Sequence, residues 1–469
     1  MPAVTPLGFL GTIADDFTYE SVRRFSSAVA YYLGTNPPKR LMVFHDGRPL
    51  ADAFARQAAQ TLQQLGAEVF WAQQPTPLPV AAHAVVGHHA DGGIFISGGT
   101  LPETMMGITF LPKEARPLSV SESQALQAAY QAVGETSLPS APGSLTAFDP
   151  QDAYLQQVSL WLHDTLPEGI GKRGRAKVVL DTQQGAAVGY AEELLERQNV
   201  RSVHLADVQP QQQVQVAPVN ATNALHVGEA VAAGEGDFGL LIAPDGAAFL
   251  VVDEAGRLLT PCEGLLLALY NLYHLRRQQG EIVLSAAVSQ GVARLAQAYH
   301  QSVRLSAPGF WNLSAAQSGK TLTLAEPGRL ALPALSQQPD GLLGATLVAD
   351  LAVALRKGPR ALLQEIEEEI GHLQWSVQRV EMTPELLQQR QQRLAQWQPT
   401  RLAGRRVVAQ QGFEGVRIEL EDGSWCYIRL LDPAIQEIYA EGPDEATADA
   451  LRRDVEAYLS GRVAVSVSS

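Results

Sequence analysis

The residues best suited to chemistry form a glycine-rich stretch from Asp91 to Phe110, which reads DGGIFISGGTLPETMMGITF. Two hydroxyl groups, those of Ser97 and Thr100, flank Gly99 within it. A hydroxyl becomes a nucleophile when an adjacent base takes its proton, and no such base is evident in the neighbouring sequence. Gly99 has no side chain, so it can neither attack a substrate nor carry a transferable group. The stretch has the glycines of a reactive loop but no obvious reactive group.

A second stretch, Asp237–Asp253, carries one central carboxylate, that of Asp245, between two apolar runs. A hard cation such as Mg²⁺ needs several oxygen ligands in near-octahedral geometry. One carboxylate cannot assemble a specific metal site alone. Asp245 followed by Gly246 is typical of a turn. We therefore predict no bound metal and no cofactor here.

Composition indicates a globular protein of several domains. The chain has 469 residues, of which 46% are hydrophobic and 18% charged, enough to bury sizeable cores. Its net charge of −14 disfavours nonspecific binding to nucleic acid or anionic membranes. It has no apolar run long enough to span a bilayer and no basic start typical of a signal peptide, which favours the cytoplasm without membrane insertion. Two cysteines, Cys262 and Cys426, are too few for a disulfide framework and are predicted to be buried thiols.

A unit of strand, turn, helix and strand recurs three times. Strands that alternate with helices favour mixed or parallel sheets covered by helices, an α/β architecture. The three units are Arg40–Val43, Ala51–Leu65 and Ala67–Trp71; Lys177–Asp181, Gly189–Gln198 and Arg201–Leu205; and Glu281–Ser285, Ser289–His300 and Ser302–Leu305.

The C-terminal part has a different pattern: a Gln-rich helical segment, three short strands and a closing helix, which favours a smaller α+β domain. Predicted linkers lie at Ser137–Gly143 and near Arg276 and Gln378. The predicted domains are residues 1–145, 146–275, 276–375 and 376–469.

Taken together, these segments resemble the α-D-phosphohexomutases, the phosphoglucomutase/phosphomannomutase family. The resemblance implies three related α/β domains with mixed sheets, plus a smaller C-terminal α+β domain. Matches to the family's catalytic loop are Gly92, Gly93, Ile94, Ile96, Pro102, Gly107 and Ile108. Other matches are Ile13–Arg24, Asp46-Gly-Arg48, Pro75-Thr-Pro77, Glu421–Trp425 and Ile438–Glu441.

The same resemblance implies that the family's chemistry is missing. The position of the phosphate-carrying serine falls on Gly99, and that of the following histidine on Thr100. Two of the three family Mg²⁺ ligands become Ala243 and Ala247, which leaves a vestigial Asp245. An arginine-bearing turn that precedes Ile13 in the family is deleted.

The family's sugar loop and phosphate clamp are also altered. Ala325 and Pro327 replace the sugar-loop Glu and Ser, and the neighbouring Glu326 is expected to face elsewhere. In the clamp Arg429 is retained, and it leads into Leu430 and Leu431 instead of hydroxyl residues and glycine. We predict Arg429 to be a structural ion-pair residue.

These losses favour a catalytically inactive homologue that acts as a binding or regulatory protein. Its candidate interface consists of Trp311, Leu430 and Leu431, large apolar residues in loops that face the family's substrate cleft, and its partner is an unknown protein. One alternative is a divergent intramolecular phosphotransferase acting on hexose phosphates through Ser97 or Thr100. Another is a sensor that binds sugar phosphates weakly through the vestigial residues Asp46, Arg48 and Arg429.

Overall fold

The computed structural model describes residues 4–34, 39–99, 101–133, 142–167, 174–208, 221–431 and 434–462. Their strands form four sheets that follow one another along the chain. Thr100, one of the two candidate hydroxyl residues, lies outside the described residues.

The first sheet has seven strands in the order β1-β2-β6-β5-β3-β4-β7. The strands β3, β4, β5 and β7 run parallel, whereas β1, β2 and β6 join by antiparallel pairing, so the sheet is mixed. Its strands are β1 Val4–Thr5, β2 Gly8–Thr12, β3 Arg40–His45, β4 Glu68–Ala72, β5 Gly92–Ser97, β6 Met105–Pro112 and β7 Leu145–Phe148. Its helices are α1 Tyr19–Leu33, α2 Ala51–Gln64, α3 Leu78–Gly87 and α4 Val120–Ala132.

The second and third sheets have four strands each, in the orders β11-β10-β8-β9 and β13-β12-β14-β15. The second comprises β8 Ala176–Asp181, β9 Val200–His204, β10 Phe238–Ile242 and β11 Phe249–Val252, with α5 Gln151–Asp164, α6 Tyr190–Arg197, α7 Leu205–Val208 and α8 Ala221–Ala232. The third comprises β12 Glu281–Ser285, β13 Ser302–Ser306, β14 Thr321–Glu326 and β15 Arg329–Ala331. The helices around it are α9 Pro261–Tyr270, α10 Gln290–Ala298, α11 Phe310–Ala316, α12 Gly341–Leu355 and α13 Pro359–Ile370, and a π-helical turn follows α9 at Asn271–Leu275.

The second and third units share one hydrophobic core. Helix α12 is apolar on all sides and is buried from Gly341 to Val353, as expected of a helix enclosed by protein. Its residues pack in the same cluster as Leu180 of the second sheet and Leu284 of the third. These two units are therefore interlocked and not joined merely end to end.

The fourth sheet is antiparallel, in the order β16-β21-β20-β19-β18-β17. Its strands are β16 Gln374–Glu381, β17 Arg401–Leu402, β18 Arg405–Gly412, β19 Val416–Leu420, β20 Trp425–Leu431 and β21 Ile435–Gly442. Helices α14 Pro384–Ala395 and α15 Glu445–Leu459 belong to this unit, and α15 supplies Leu451 and Val455 to its core.

The predicted α/β fold is confirmed, and every predicted strand and helix of the three repeated units is present. The linker prediction near Gln378 is wrong, because Gln378 lies inside strand β16. Residues 276–280 do form an irregular connection before β12, although Arg276 itself is buried in an ion pair with Asp350. The first sheet also extends to Phe148, slightly beyond the predicted end of its domain. No described helix combines the length and apolar character needed to cross a membrane.

Helix α12 begins at a buried carboxylate. Asp340 caps it by accepting the Leu343 N–H at 2.8 Å, and the Tyr154 hydroxyl donates to both of its oxygens at 3.0 and 2.8 Å. Burial raises the pKa of Asp340 from 3.8 to about 6. The folded protein therefore binds this proton more tightly than the unfolded chain, and Asp340 lowers stability as pH rises from about 4 to above 6.

Asp340→Asn removes this ionisation and keeps a good helix cap. Relative to wild type, the variant should gain on the order of 2 kcal/mol in free energy of unfolding between pH 4.5 and pH 7.5. Urea unfolding at both pH values measures the change. If the free energy of unfolding changed equally with pH in wild type and variant, the raised pKa assigned to Asp340 would be contradicted.

Candidate functional site

A buried arginine, Arg48, binds the backbone of the loop that follows β5. The Nη2 atom of Arg48 donates to the carbonyl oxygens of Gly99 at 2.8 Å and Leu101 at 2.7 Å. Its Nη1 atom donates to the Pro102 carbonyl at 3.1 Å. A Cβ atom on Gly98 would lie 2.2 Å from the guanidinium carbon, so the close approach requires glycine there. Arg48 is thus a support of the loop's backbone, and little of its guanidinium remains for a ligand.

Asp46 organises the same loop from the end of β3. Its fully buried carboxylate accepts the backbone N–H groups of Arg48 at 3.0 Å and Gly98 at 2.9 Å. Burial raises the pKa of Asp46, while these bonds and one with the Ser97 side chain lower it. The Ser97 hydroxyl oxygen also accepts the Gly99 N–H at 2.8 Å. Sequence reasoning found no base near Ser97, and the structure places one beside it.

Gly99 faces the carboxylate of Asp245, in the second unit. It adopts φ +48°, and a Cβ atom built there would lie 3.0 Å from Oδ2 of Asp245. The two positions that the resemblance assigns to the phosphate carrier and a metal ligand therefore meet in space. What they bring together is a glycine and a single carboxylate.

The Asp245 turn is fixed by its own backbone and by its neighbours. Its Oδ1 accepts the N–H of Ala247 at 3.0 Å, as in the turn predicted for it. Its carbonyl accepts the N–H of Leu78, in the first unit, at 2.8 Å, and the Gly246 carbonyl accepts that of Gly341, in the third, at 2.8 Å. Ala243 and Ala247 are buried. Three units of the protein thus close around this turn.

These residues do not fit the Mg²⁺ ion that the resemblance implies. Of the three positions that the resemblance assigns to metal ligands, 243, 245 and 247, only Asp245 carries a carboxylate, and one of its oxygens is already an acceptor from the backbone. Across the described ranges no group of three or more His, Cys, Asp or Glu side chains could hold a metal ion. The absence of bound metal stays a prediction.

The retained residues of the sugar loop and phosphate clamp lie in one charged cluster. Glu326, at the end of β14, accepts the backbone N–H of Gly309. Arg429, on β20, lies 3.6 Å from Glu437 on β21. Burial raises the pKa of Glu326, and the charges of Arg329 and Arg429 lower it. The ion pair of Arg429 agrees with the structural role predicted for it.

The candidate interface residues differ in their environments. The indole ring of Trp311 lies over Gly309, where a Cβ atom would come within 2.4 Å of it, and Trp311 is half-buried. Leu430 packs against the core of the fourth unit. Leu431 is half-buried at the end of β20. Leu430 therefore contributes to packing, and Trp311 and Leu431 keep partial access to solvent.

A buried polar network that the sequence analysis missed ties the fourth unit to the third. The guanidinium of Arg417 lies 3.8 Å from the Trp425 ring centre and donates to the Ala286 carbonyl at 2.5 Å. Glu441 accepts the Trp425 Nε1–H at 2.9 Å and the N–H of Gln290, the first residue of α10, at 3.0 Å. A carboxylate at a helix N-terminus is favourable. The network forms only where the third and fourth units pack together. Sequence analysis could not detect it, because its residues lie far apart in the sequence.

Comparison with known proteins matches this architecture. Residues 8–137 match the model of phosphoglucomutase/phosphomannomutase, alpha/beta/alpha domain I. The chain is 30% identical over 183 residues to a phosphoglucosamine mutase of Arthrobacter sp. (strain FB24). These matches show that the first domain of this chain is similar to domain I of the phosphoglucomutase/phosphomannomutase family. That alignment spans 38% of this chain and 39% of the Arthrobacter enzyme, so the enzyme's activity does not transfer with it.

Solved structures extend the phosphohexomutase fold over the whole chain. A Thermus thermophilus protein has a TM-score of 0.79 at 23% identity, covering 98% of this chain and all of its own. A phosphoglucomutase/phosphomannomutase family protein from Burkholderia thailandensis also gives 0.79, at 16% identity and 98% coverage of both chains. The Paramecium pp63/parafusin gives 0.73 at 14% identity, covering 98% of this chain and 94% of its own. At these identities the likeness concerns the fold alone.

Proposed function

We propose that this protein is a catalytically inactive phosphohexomutase homologue that acts by binding another protein. One observation carries the loss of catalysis: Gly99 stands 3.0 Å, measured from a built Cβ, from the lone carboxylate of Asp245. The site keeps its shape, but the atoms that would carry phosphate and bind Mg²⁺ are missing. Nucleophilic transfer needs a side chain at the first position, and Mg²⁺ needs more oxygen ligands at the second. We accordingly propose that it has no cofactor.

The retained polar residues are explained by folding. Asp46 and Arg48 hold the loop backbone, and Arg429 pairs with Glu437. A sugar-phosphate ligand would have to compete with these internal partners, so we expect any such binding to be weak. This argues against a dedicated sugar-phosphate sensor.

A second candidate function is supported by the position of Asp46 beside Ser97: the Asp46 carboxylate accepts the N–H of Gly98, and the Ser97 side chain lowers the pKa of Asp46. A carboxylate beside a hydroxyl is an arrangement that can activate a nucleophile. Against it, Asp46 already accepts two backbone N–H groups, and Ser97 accepts a third. These bonds suit a structural turn better than a reacting pair.

A protein partner suits the apolar replacements in the cleft loops. Trp311, in helix α11, and Leu431, at the end of β20, are half-buried, large apolar residues at positions that the resemblance assigns to substrate loops. Such residues often dominate binding energy, at about 2 kcal/mol or more each. Both cysteines are buried free thiols, consistent with our proposal of a cytoplasmic location.

Capture from a lysate of the source organism tests the binding role. Trp311→Ala and Leu431→Asp should each abolish recovery of a specific partner without changing the melting temperature. The matched controls are Tyr31→Ala and Leu160→Asp, which alter exposed residues elsewhere and should leave recovery intact. A lower melting temperature in both interface variants, with no partner recovered by wild type, would contradict the proposal.

A further inference from the structure

Strand β16 is an edge strand with an open side. Within the described residues it pairs only with β21, in one continuous antiparallel register from Gln374 to Glu381. All five residues of its second half, Val377–Glu381, are exposed, including Val377 at 42% and Val380 at 36%. Proteins usually cover such edges or interrupt them with proline or a bulge, because their free backbone groups pair readily. Among the described residues no strand covers this edge, and the segment contains neither proline nor a bulge.

The register with β21 determines which backbone groups face outward. Met382 stands opposite Ala434 and donates its N–H to that carbonyl at 2.9 Å, so even-numbered residues of β16 bond inward. Antiparallel pairing alternates along a strand. The N–H and C=O groups of Val377, Arg379 and Glu381 therefore point away from the sheet.

We propose that two copies of this chain pair through β16, antiparallel, about a two-fold axis at Val380. In this register Arg379 of each copy stands opposite Glu381 of the other. Both residues have outward backbone groups, so the two symmetric pairs form four main-chain hydrogen bonds. Val380 meets Val380 at the axis. Opposite charges and β-branched residues are favourable cross-strand pairs, and a two-fold interface uses one surface twice.

The charges select this register among those centred on the exposed segment. A two-fold axis perpendicular to the sheet must lie midway between two copies of the same residue. The reason is that side chains directly opposite each other in an antiparallel pair point to the same face of the sheet. Centring on Arg379 or on Glu381 would set like charges opposite each other, which is unfavourable. Centring on Val377 or Gln378 leaves both charges without an opposite partner. Only the register centred on Val380 places Arg379 of one copy opposite Glu381 of the other.

The contact is small, so the dimer should be weak. Interfaces below about 1,200 Å² are typical of transient association. We therefore expect a monomer–dimer equilibrium seen only at high protein concentration. The inference is independent of the proposed loss of catalysis and of the candidate interface at Trp311, Leu430 and Leu431.

Sedimentation equilibrium of the full chain, with charge-reversal variants, tests the register. Arg379→Glu and Glu381→Arg should each raise the dimer dissociation constant by about tenfold or more, because each sets like charges opposite. The double variant Arg379→Glu/Glu381→Arg restores opposite charges and should return to within about threefold of wild type. Arg201→Glu reverses an exposed charge on β9, the edge of the second sheet, and should have no effect.

Three results would overturn the proposal. The first is a wild-type protein that stays monomeric at the highest concentration reached. The second is a double variant as weak as the single ones. The third is dimerisation seen only after residues 463–469 are removed, which would mean that the chain's own end covers the edge. Circular dichroism and melting temperature confirm that each variant folds.

Discussion

Purified protein incubated with glucose 1-phosphate, Mg²⁺ and a bisphosphate activator should form glucose 6-phosphate no faster than the uncatalysed background. The reason is the pairing of Gly99 with a single carboxylate, Asp245, in the place where the family resemblance puts the phosphate carrier and the metal. In other enzymes the loss of a nucleophile alone lowers the rate by about 10⁶, or roughly 8 kcal/mol. A coupled enzymatic assay at high protein concentration measures the rate at which glucose 6-phosphate forms.

Three variants test whether the absence of turnover has the cause that we propose. Gly99→Ser alone should not restore turnover, because Ala243 and Ala247 still replace two metal ligands. Calorimetry should detect no saturable sub-millimolar Mg²⁺ binding that depends on Asp245, with Asp245→Asn as the reference. Turnover that disappears in Ser97→Ala would instead support the Ser97–Asp46 pair as a reacting group, and our proposal would then be wrong.

Asp350→Ala is expected to lower the free energy of unfolding by about 3–5 kcal/mol. Asp350 lies 2.6 Å from Arg276, and both side chains are fully buried. Arg276 also donates to the Leu162 carbonyl at 2.5 Å and to Thr165 at 2.8 Å, so it ties the second unit to α12. The substitution leaves the buried guanidinium without the carboxylate that balances its charge.

Urea denaturation measures this loss, with Glu68→Ala as its control. Glu68 pairs with Arg40 at 3.0 Å, but both side chains are more than two-fifths exposed, so removal should cost less than about 1 kcal/mol. Equal effects of the two variants would contradict the assigned importance of burial. A pair replaced by well-packed apolar residues could be tolerated, which is why single truncation is the informative change.

The polar residues that match the family's active-site loops have a physical explanation that involves no chemistry. Asp46 and Arg48, which are both buried, satisfy backbone groups of the loop that contains Gly99, and the loss of such a buried partner is costly. Arg429 belongs to a charged cluster between the third and fourth units. A scaffold can thus keep parts of a site because the fold needs them.

The amino-acid sequence by itself determined the local elements and the residue types at the positions that the family resemblance assigns to chemistry. Apolar periodicity and turn residues predicted the repeated strands and helices, because these elements bury one face or stripe against a core. Residue type alone excluded Gly99 as a nucleophile, since no tertiary arrangement supplies a missing side chain. The edge strand β16 escaped prediction for the converse reason. Its second half is exposed on both faces, so Val377–Glu381 carries no apolar alternation.

Only the tertiary structure decided which residues meet. Gly99 and Asp245 are 146 positions apart (245 − 99), and the packing of the first two units brings them together. The same holds for Arg417 with Ala286 and for Arg276 with Leu162, each joined across units. Buried polar groups must find partners wherever the packed units place them, and sequence spacing does not contain that information. The physical roles of these residues therefore depend on how the domains pack.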